Sequence, residues 1–314
     1  MSEALGHVPV LPRTVLDLLA PQKAETVLDA TVGGAGHAHL LGEAIGSEGT
    51  LIGFDVDPSS LEMARERLAD CDCRVELIQR NFGDLRAGLA QVGVGRVDVL
   101  FADLGVSSPQ LDNAERGFSF QSDGPLDMRM DPRLTTTAAD LVNRTREREL
   151  ADLFYYNTQE MASRRIARRI CSARRDGRIT TTGQLARIVV SALHGARSSS
   201  RWAKIHPATR TFLALRMAVN DEIGCLHALL DAAPDVLNPG GRIGIIAFHS
   251  VEDKPVKLDF RKRKGEEIYR IVTTRPVIAD PEERRRNPRC RSAKFRVAVR
   301  LPEPQEPVEQ ELAG

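Results

Sequence analysis

The chain has 314 residues, 42% hydrophobic and 28% charged, which is the make-up of a soluble globular protein large enough for one or two domains. No apolar run approaches the roughly 20 residues a bilayer needs, and the N-terminus (MSEALGHVPVLP) lacks a basic-then-apolar leader, so the reading is a cytoplasmic protein without a membrane span. The net charge of +1 hides a segregation: residues 1–109 carry 8 basic and 16 acidic side chains, residues 110–206 carry 17 and 11, and residues 254–300 carry 16 and 6, so two basic stretches suit a polyanion while the first third does not.

Residues 24–103 alternate strand and helix patterns. Apolar runs at 26–30, 50–55, 74–78 and 97–103 are short and rich in Val, Ile, Leu and Phe, and helix-like segments such as 58–69, opened by Asp57-Pro58, separate them. That rhythm predicts a parallel sheet covered by helices on both faces. The first run ends at Asp29, and three glycines follow closely (Gly33, Gly34, Gly36); the second run ends in Asp55. Strand, glycine turn, helix and strand-terminal acid are the parts of a nucleoside-binding unit, but the spacing differs from the dinucleotide G-x-G-x-x-G. A phosphate-free adenosine ligand fits better, with Asp55 accepting from ribose hydroxyls.

The rhythm stops after Asp103. Residues 110–206 show no strand pattern; a polar loop (112–132) is followed by helical patterns near 141–155, 159–175 and 182–194, with Ala162, Ile166, Ile170 and Ala173 on one face. One long helix (209–232) and an Asn-Pro-Gly-Gly turn lead to a strand at 242–248, and two final strands (268–274 and 294–301) flank a basic loop. The chain therefore divides into an α/β sheet domain (1–109 and 207–301), an inserted all-helical module (110–206) and a disordered acidic tail (302–314). Five scattered cysteines, with Cys71 and Cys73 too close and too alone for zinc, read as reduced structural thiols, and no metal is expected.

Ligands of open α/β sheets bind beyond the carboxyl ends of the strands. Phe82, after the third strand, could stack on a base or cap the core. Asp103 ends a buried apolar strand, where a carboxylate is costly unless it is used. Ser107, Ser108 and Gln110 lie in the turn that follows, without the G-x-S-x-G elbow of a serine nucleophile. His249, in FHSVED, stands at the same sheet edge and is either catalytic or structural. The segment 115–131 is a lid or a packed Ω-loop. Arg164, Arg165, Arg168, Arg169, Arg284, Arg285 and Arg286 dominate clusters whose signs do not alternate, which suits phosphate contact.

At DLGVSSPQLDNAERGFSFQSDGPLDMRMDP (103–132), with VGGAGH, HPATRTFLALRMAVN, GGRIGIIAFHSVED and NPRCRSAKFR, the chain resembles the bacterial 16S ribosomal RNA cytosine-N(4)-methyltransferase family from about 7 to 300. The resemblance implies a class I Rossmann-like sheet using S-adenosyl-L-methionine, with the inserted helices recognising substrate. It implies methylation of a cytidine amine in the decoding region of 16S ribosomal RNA, on RNA or the small ribosomal subunit. It places cofactor contacts at Ala35, Gly36, His37, Asp55, Phe82, Asp103 and Gln110, and leaves room for a homodimer. Two departures stand out: Ala35 replaces a common glycine, and no D-P-P-Y motif is present, so the role of Asp103 rests on position. Catalysis would fall to Asp103, orienting the amine, with Ser107, Ser108 and His249 holding the cytosine edge. The competing reading is a non-catalytic RNA-binding assembly factor that keeps the adenosine pocket.

Overall fold

A computed structural model describes residues 9–193 and 206–303. The chain forms two compact units, one built on a sheet (9–55, 61–104 and 228–303) and one helical (56–60, 105–193 and 206–227).

The sheet unit holds seven strands: β1 (Thr26–Asp29), β2 (Thr50–Asp55), β3 (Arg74–Gln79), β4 (Val97–Asp103), β5 (Leu237–Ala247), β6 (Tyr269–Ile271) and β7 (Lys294–Arg300). Their order is β3-β2-β1-β4-β5-β7-β6, parallel through β5 and antiparallel at β7 and β6. Consecutive residues of β1 and β4 (Val27 and Leu28; Val99, Leu100 and Phe101) are fully buried. Side chains alternate across a strand, so burial of neighbours means that both faces are covered. The core includes Leu41, Ile45, Leu51, Leu61 and Phe295. β5 starts at Leu237, earlier than the apolar pattern suggests, because Asn238–Gly241 is absorbed into the strand at an irregular register opposite Val97 and Val99.

The helical unit includes the helices Ala138–Arg144, Glu147–Thr158, Ser163–Asp176, Thr182–Leu193 and Thr209–Val219. Their apolar stripes meet in one core containing Val142, Leu150, Phe154, Ile166, Ile170, Leu185 and Val189. Two expectations are corrected here. The unit does not stop at 206: Ala208, Phe212, Ala214, Leu215 and Val219 complete its core, so the apolar face of HPATRTFLALRMAVN pulls that segment into the helices. The long helix expected over 209–232 is also two helices, Thr209–Val219 and Glu222–Val236, broken where Asp221 adopts a left-handed φ of 46°. Asn220 drives the break by accepting from Met130 N (2.7 Å) and donating to Met128 O (2.8 Å). The expected tail lies outside the described residues from 304 onward, as does His194.

The segment 115–131 is a packed loop. Phe118, Leu126 and Met128 are buried in the helical core, and Arg116 donates to the carbonyls of Arg129 and Met130 (both 3.1 Å). Its glycines are sites of close approach: a Cβ on Gly117 would sit 2.2 Å from Pro125 O, and one on Gly124 2.1 Å from Ala114 O.

Candidate functional site: an acidic strand rim and a basic helix

Strand ends carry the chemistry of the sheet unit. The parallel register sets Asp29 beside Phe101 and Gly53, with Asp55 at the end of β2 and Asp103 at the end of β4. The turn after β1 links all three. Thr31 N donates to Asp29 Oδ1 (3.0 Å), Thr31 Oγ1 accepts from Asp103 N (2.7 Å), and Gly33 N donates to Asp55 Oδ2 (3.0 Å). Gly33 and Ala35 are left-handed (φ 50° and 59°), and Ala35 opens the helix Gly36–Ile45. The alanine that departs from the glycine pattern therefore carries the strain of a position glycine favours.

The side chains of that turn point mostly into the core. Ala35 is fully buried, and a Cβ on Gly36 would lie 3.3 Å from Pro9 Cβ. The open side is at Gly34, where an added Cβ would meet nothing within 4 Å among the described residues. A ligand therefore meets backbone here, and Gly34, absent from the expected contacts, offers the room. His37 is buried, with Nε2 2.7 Å from Val10 O; the carbonyl can only accept, so Nε2 carries the hydrogen. Nδ1 then faces Asp103 Oδ2 at 3.6 Å, and the ring lies against Phe101 with centroids 4.8 Å apart.

Asp103 is the focus of the rim. Among the described residues its Oδ1 is buried without a hydrogen-bond partner. Burial first, and then the nearby Asp29 and Glu252 carboxylates, hold its pKa well above the ordinary carboxylate range. Asp29 is pushed up to about 7, chiefly by burial, with the Asp55 charge adding to it against the Thr31 hydrogen bonds. Glu252 is buried, accepting from Phe248 N (2.9 Å), with its other oxygen 3.0 Å from His249 Nε2. His249 precedes the helix Ser250–Gly265, which the turn-like FHSVED does not announce, and Asp253 of that helix is held by Arg296 at 2.6 Å. Phe82, half-buried, opens a single 3-10 turn after β3. This rim offers several carboxyl groups and an open backbone turn, an environment for a cation or a polyhydroxyl ligand rather than a phosphate.

Ser107, Ser108 and Gln110 belong to the helical unit. Ser107 caps the short helix Ser108–Asp112 together with Gln110, and among the described residues the buried hydroxyl of Ser108 has no hydrogen-bond partner. Both ends of the Gln110 amide are engaged: Oε1 accepts from Ser107 N (3.0 Å) and Nε2 donates to Asp57 Oδ2 (3.0 Å). Asp57 is a residue the motif reading treated only as a helix start. It does cap, accepting from Ser59 N (3.0 Å) and Ser59 Oγ (2.7 Å), while Oδ2 also takes Arg116 Nη1 at 2.6 Å. Asp57 is held below the usual carboxylate range; burial opposes this, and the bonds from Gln110, Ser59 and Arg116 outweigh it.

The basic clusters are not equivalent. On the helix Ser163–Asp176, Ile166, Ala167, Ile170 and Cys171 face inward while Arg164, Arg165, Arg168 and Arg169 are exposed. Among the described residues Arg164 and Arg165 have no side-chain partner, Arg168 approaches Glu147 only to 3.7 Å, and Arg169 donates to Ser191 Oγ. In the sheet unit, by contrast, Arg263 is held by Asp259 (3.4 Å) and Asp231 (3.7 Å), and Arg286 pairs with Glu282. Arg284 is half-buried and Arg285 exposed, on a six-residue helix whose first turn holds two acids. The five cysteines, all among the described residues, form no disulfide with one another.

Against known proteins, the family model for the MraW methylase family matches residues 4–301. The chain is 48% identical over 312 residues to "Ribosomal RNA small subunit methyltransferase H" of Geobacter sulfurreducens, covering 94% of this chain and 99% of the relative. It is 46% identical to the protein of that name from Acidobacterium capsulatum, covering 93% and 97%. A solved rRNA methylase from Streptococcus thermophilus aligns over 93% of this chain and 94% of its own, at TM-score 0.40 and 12% identity. With the match spanning nearly its whole length, the chain belongs to the MraW methylase family, whose methyl donor is S-adenosylmethionine.

Proposed function

We infer that the protein methylates the exocyclic amine of a cytidine in the decoding region of 16S ribosomal RNA. The observation that carries the reading is Asp103: one buried carboxyl oxygen with no partner among the described residues, at the carboxyl end of a central strand. An acceptor left unsatisfied in a buried place is costly, and an amine N–H is a donor that would relieve it. The names of the relatives support ribosomal RNA of the small subunit as substrate.

The residues present fit the cofactor. The open backbone at Gly33 and Gly34 would receive it, Asp55 would take the ribose hydroxyls, and Phe82 would lie against the adenine. When bound, it supplies a methyl group on a positively charged sulfur, open to in-line displacement. In its ionised form a carboxyl group at the rim would stabilise such a cation.

A cytosine amine is a poor nucleophile because its lone pair is shared with the ring. Asp103 Oδ1 accepts one N–H, turns the amine toward the methyl group, and receives the proton as the nitrogen becomes positive. Burial raises the pKa of Asp103, and a positive charge placed beside it favours the ionised form that can accept. His37, anchored on the Val10 carbonyl through Nε2–H, presents Nδ1 as an acceptor 3.6 Å from Asp103 Oδ2, on the side where the carboxyl can carry a proton. His249, at the same strand ends, is a further donor to the cytosine once the base has left its stack. Gln110 acts indirectly, through Asp57.

Mass-spectrometric mapping of modified cytidines in ribosomal RNA, with and without the gene, tests the reading. One N(4)-methylcytidine in the decoding region should vanish with the gene and return with it. An unchanged map, or loss of a methyl group elsewhere on the base, overturns it.

A further inference from the structure

The helical unit carries an aromatic tip that the methyl-transfer chemistry does not use. The helix Glu147–Thr158 turns through Gln159, left-handed at φ 53°, into the helix Ser163–Asp176. At that turn Tyr155, Tyr156 and Met161 are 45%, 71% and 82% exposed. Only three tyrosines occur in the chain, and the third, Tyr269, is 1% exposed. Two of three thus stand in water side by side, with ring centroids 5.4 Å apart at 77°. An isolated exposed apolar residue needs no explanation, but three at one turn amount to a patch.

Its surroundings identify the partner. Arg164 and Arg165 begin the next helix, exposed and without side-chain partners among the described residues, and Arg168 and Arg169 extend the same outward face. The nearest acid in sequence, Glu160, is buried, with Oε1 accepting from Ala162 N (2.9 Å), while Asp152 lies exposed one helical turn before Tyr156. An apolar protein surface would not call for four arginines along this face. A single-stranded nucleic acid calls for both features, since its phosphates take guanidinium groups and its unpaired bases stack on aromatic rings.

We propose that Tyr155 and Tyr156, flanked by Met161, form a stacking platform for an unpaired ribosomal RNA base, distinct from the methylated cytidine, whose backbone runs along Arg164, Arg165, Arg168 and Arg169. The proposal rests on RNA being the substrate, as inferred above.

The test uses the full chain, a labelled protein-free single-stranded RNA and the small ribosomal subunit, with the double substitutions Tyr155→Ala/Tyr156→Ala and Tyr155→Phe/Tyr156→Phe. Stacking of one base predicts about tenfold weaker RNA binding for the alanine pair, near-normal binding for the phenylalanine pair, and an unchanged salt slope because no phosphate contact is lost. Equal affinity of the alanine pair and the parent for naked RNA overturns the platform, as does no RNA binding by the parent. A loss seen only with the ribosomal subunit also overturns it and makes the tip a protein contact. Methyl transfer by the parent is followed separately: its absence removes the functional reading, whereas normal transfer with unaltered RNA binding by the variants removes only the platform.

Discussion

The strand ends of the sheet unit and the outward face of the helix Ser163–Asp176 manage like charges in opposite ways. At the strand ends, Asp29, Asp103 and Glu252 are gathered and kept largely from water; burial raises the pKa values of Asp29 and Asp103, helped by the Asp55 charge at Asp29 and by Asp29 and Glu252 at Asp103. On the helix, Arg164, Arg165, Arg168 and Arg169 stand in solvent, keep their charge and are screened by salt. A buried cluster suits chemistry at one atom. An exposed one suits affinity for a long charged polymer. The other basic runs differ from both in that Arg263 and Arg286 are already held by carboxylates of the same unit.

The largest expected effect breaks the buried side. Asp103→Ala should lower single-turnover methyl transfer at least ~100-fold at saturating S-adenosylmethionine, as for loss of an orienting base. Near-normal turnover would move the role elsewhere. The exposed side is sharpened by neutralising Arg164, Arg165, Arg168 and Arg169 to glutamine: RNA affinity near physiological salt should fall about tenfold or more and the salt dependence should flatten. The same change at Arg284, Arg285 and Arg286 should do less, because one of those charges is paired with Glu282 and another is half-buried. Equal slopes would cancel the distinction between the clusters.

The smallest effect concerns stability. Asp29 binds its proton more tightly folded than unfolded, so its contribution is present below the unfolded value of 3.8 and is lost as pH rises through about 7. Asp29→Asn should therefore raise Tm at pH 8, by at least about 3 °C, and leave it nearly unchanged at pH 4. A variant equally displaced at both values would show that the carboxyl is not protonated on folding.

Strands were legible in the sequence because buried parallel strands must be almost continuously apolar, and Val27, Leu28 and Val99–Phe101 obey that. The break at Asp221 was not, since Asn220 is held by Met128 and Met130, some ninety positions away, and periodicity reports only neighbours. The helix Ser250–Gly265 was hidden for a different reason: it contains Pro255, which removes a backbone donor and reads as a breaker. Within the site, Asp103, Asp55 and His249 announce themselves by standing at strand ends. The approach of His37 to Asp103 does not, because the histidine's tautomer is set by the Val10 carbonyl, outside the glycine motif. Asp57 was half legible: its capping oxygen follows from Asp-Pro-Ser, while the oxygen that receives Gln110 and Arg116 depends on tertiary structure.

That second oxygen bears on how the molecule can be dissected. The helical unit borrows Val56–Ser60 from a part of the chain about fifty positions upstream of its main body, Gly105–His227. An excised fragment beginning at Gly105 would leave the Arg116 guanidinium and the Gln110 amide without the carboxylate that satisfies them. Supplying the peptide 56–60 in trans, or grafting it ahead of Gly105, is the economical route to an autonomous helical module, and random truncation should find none.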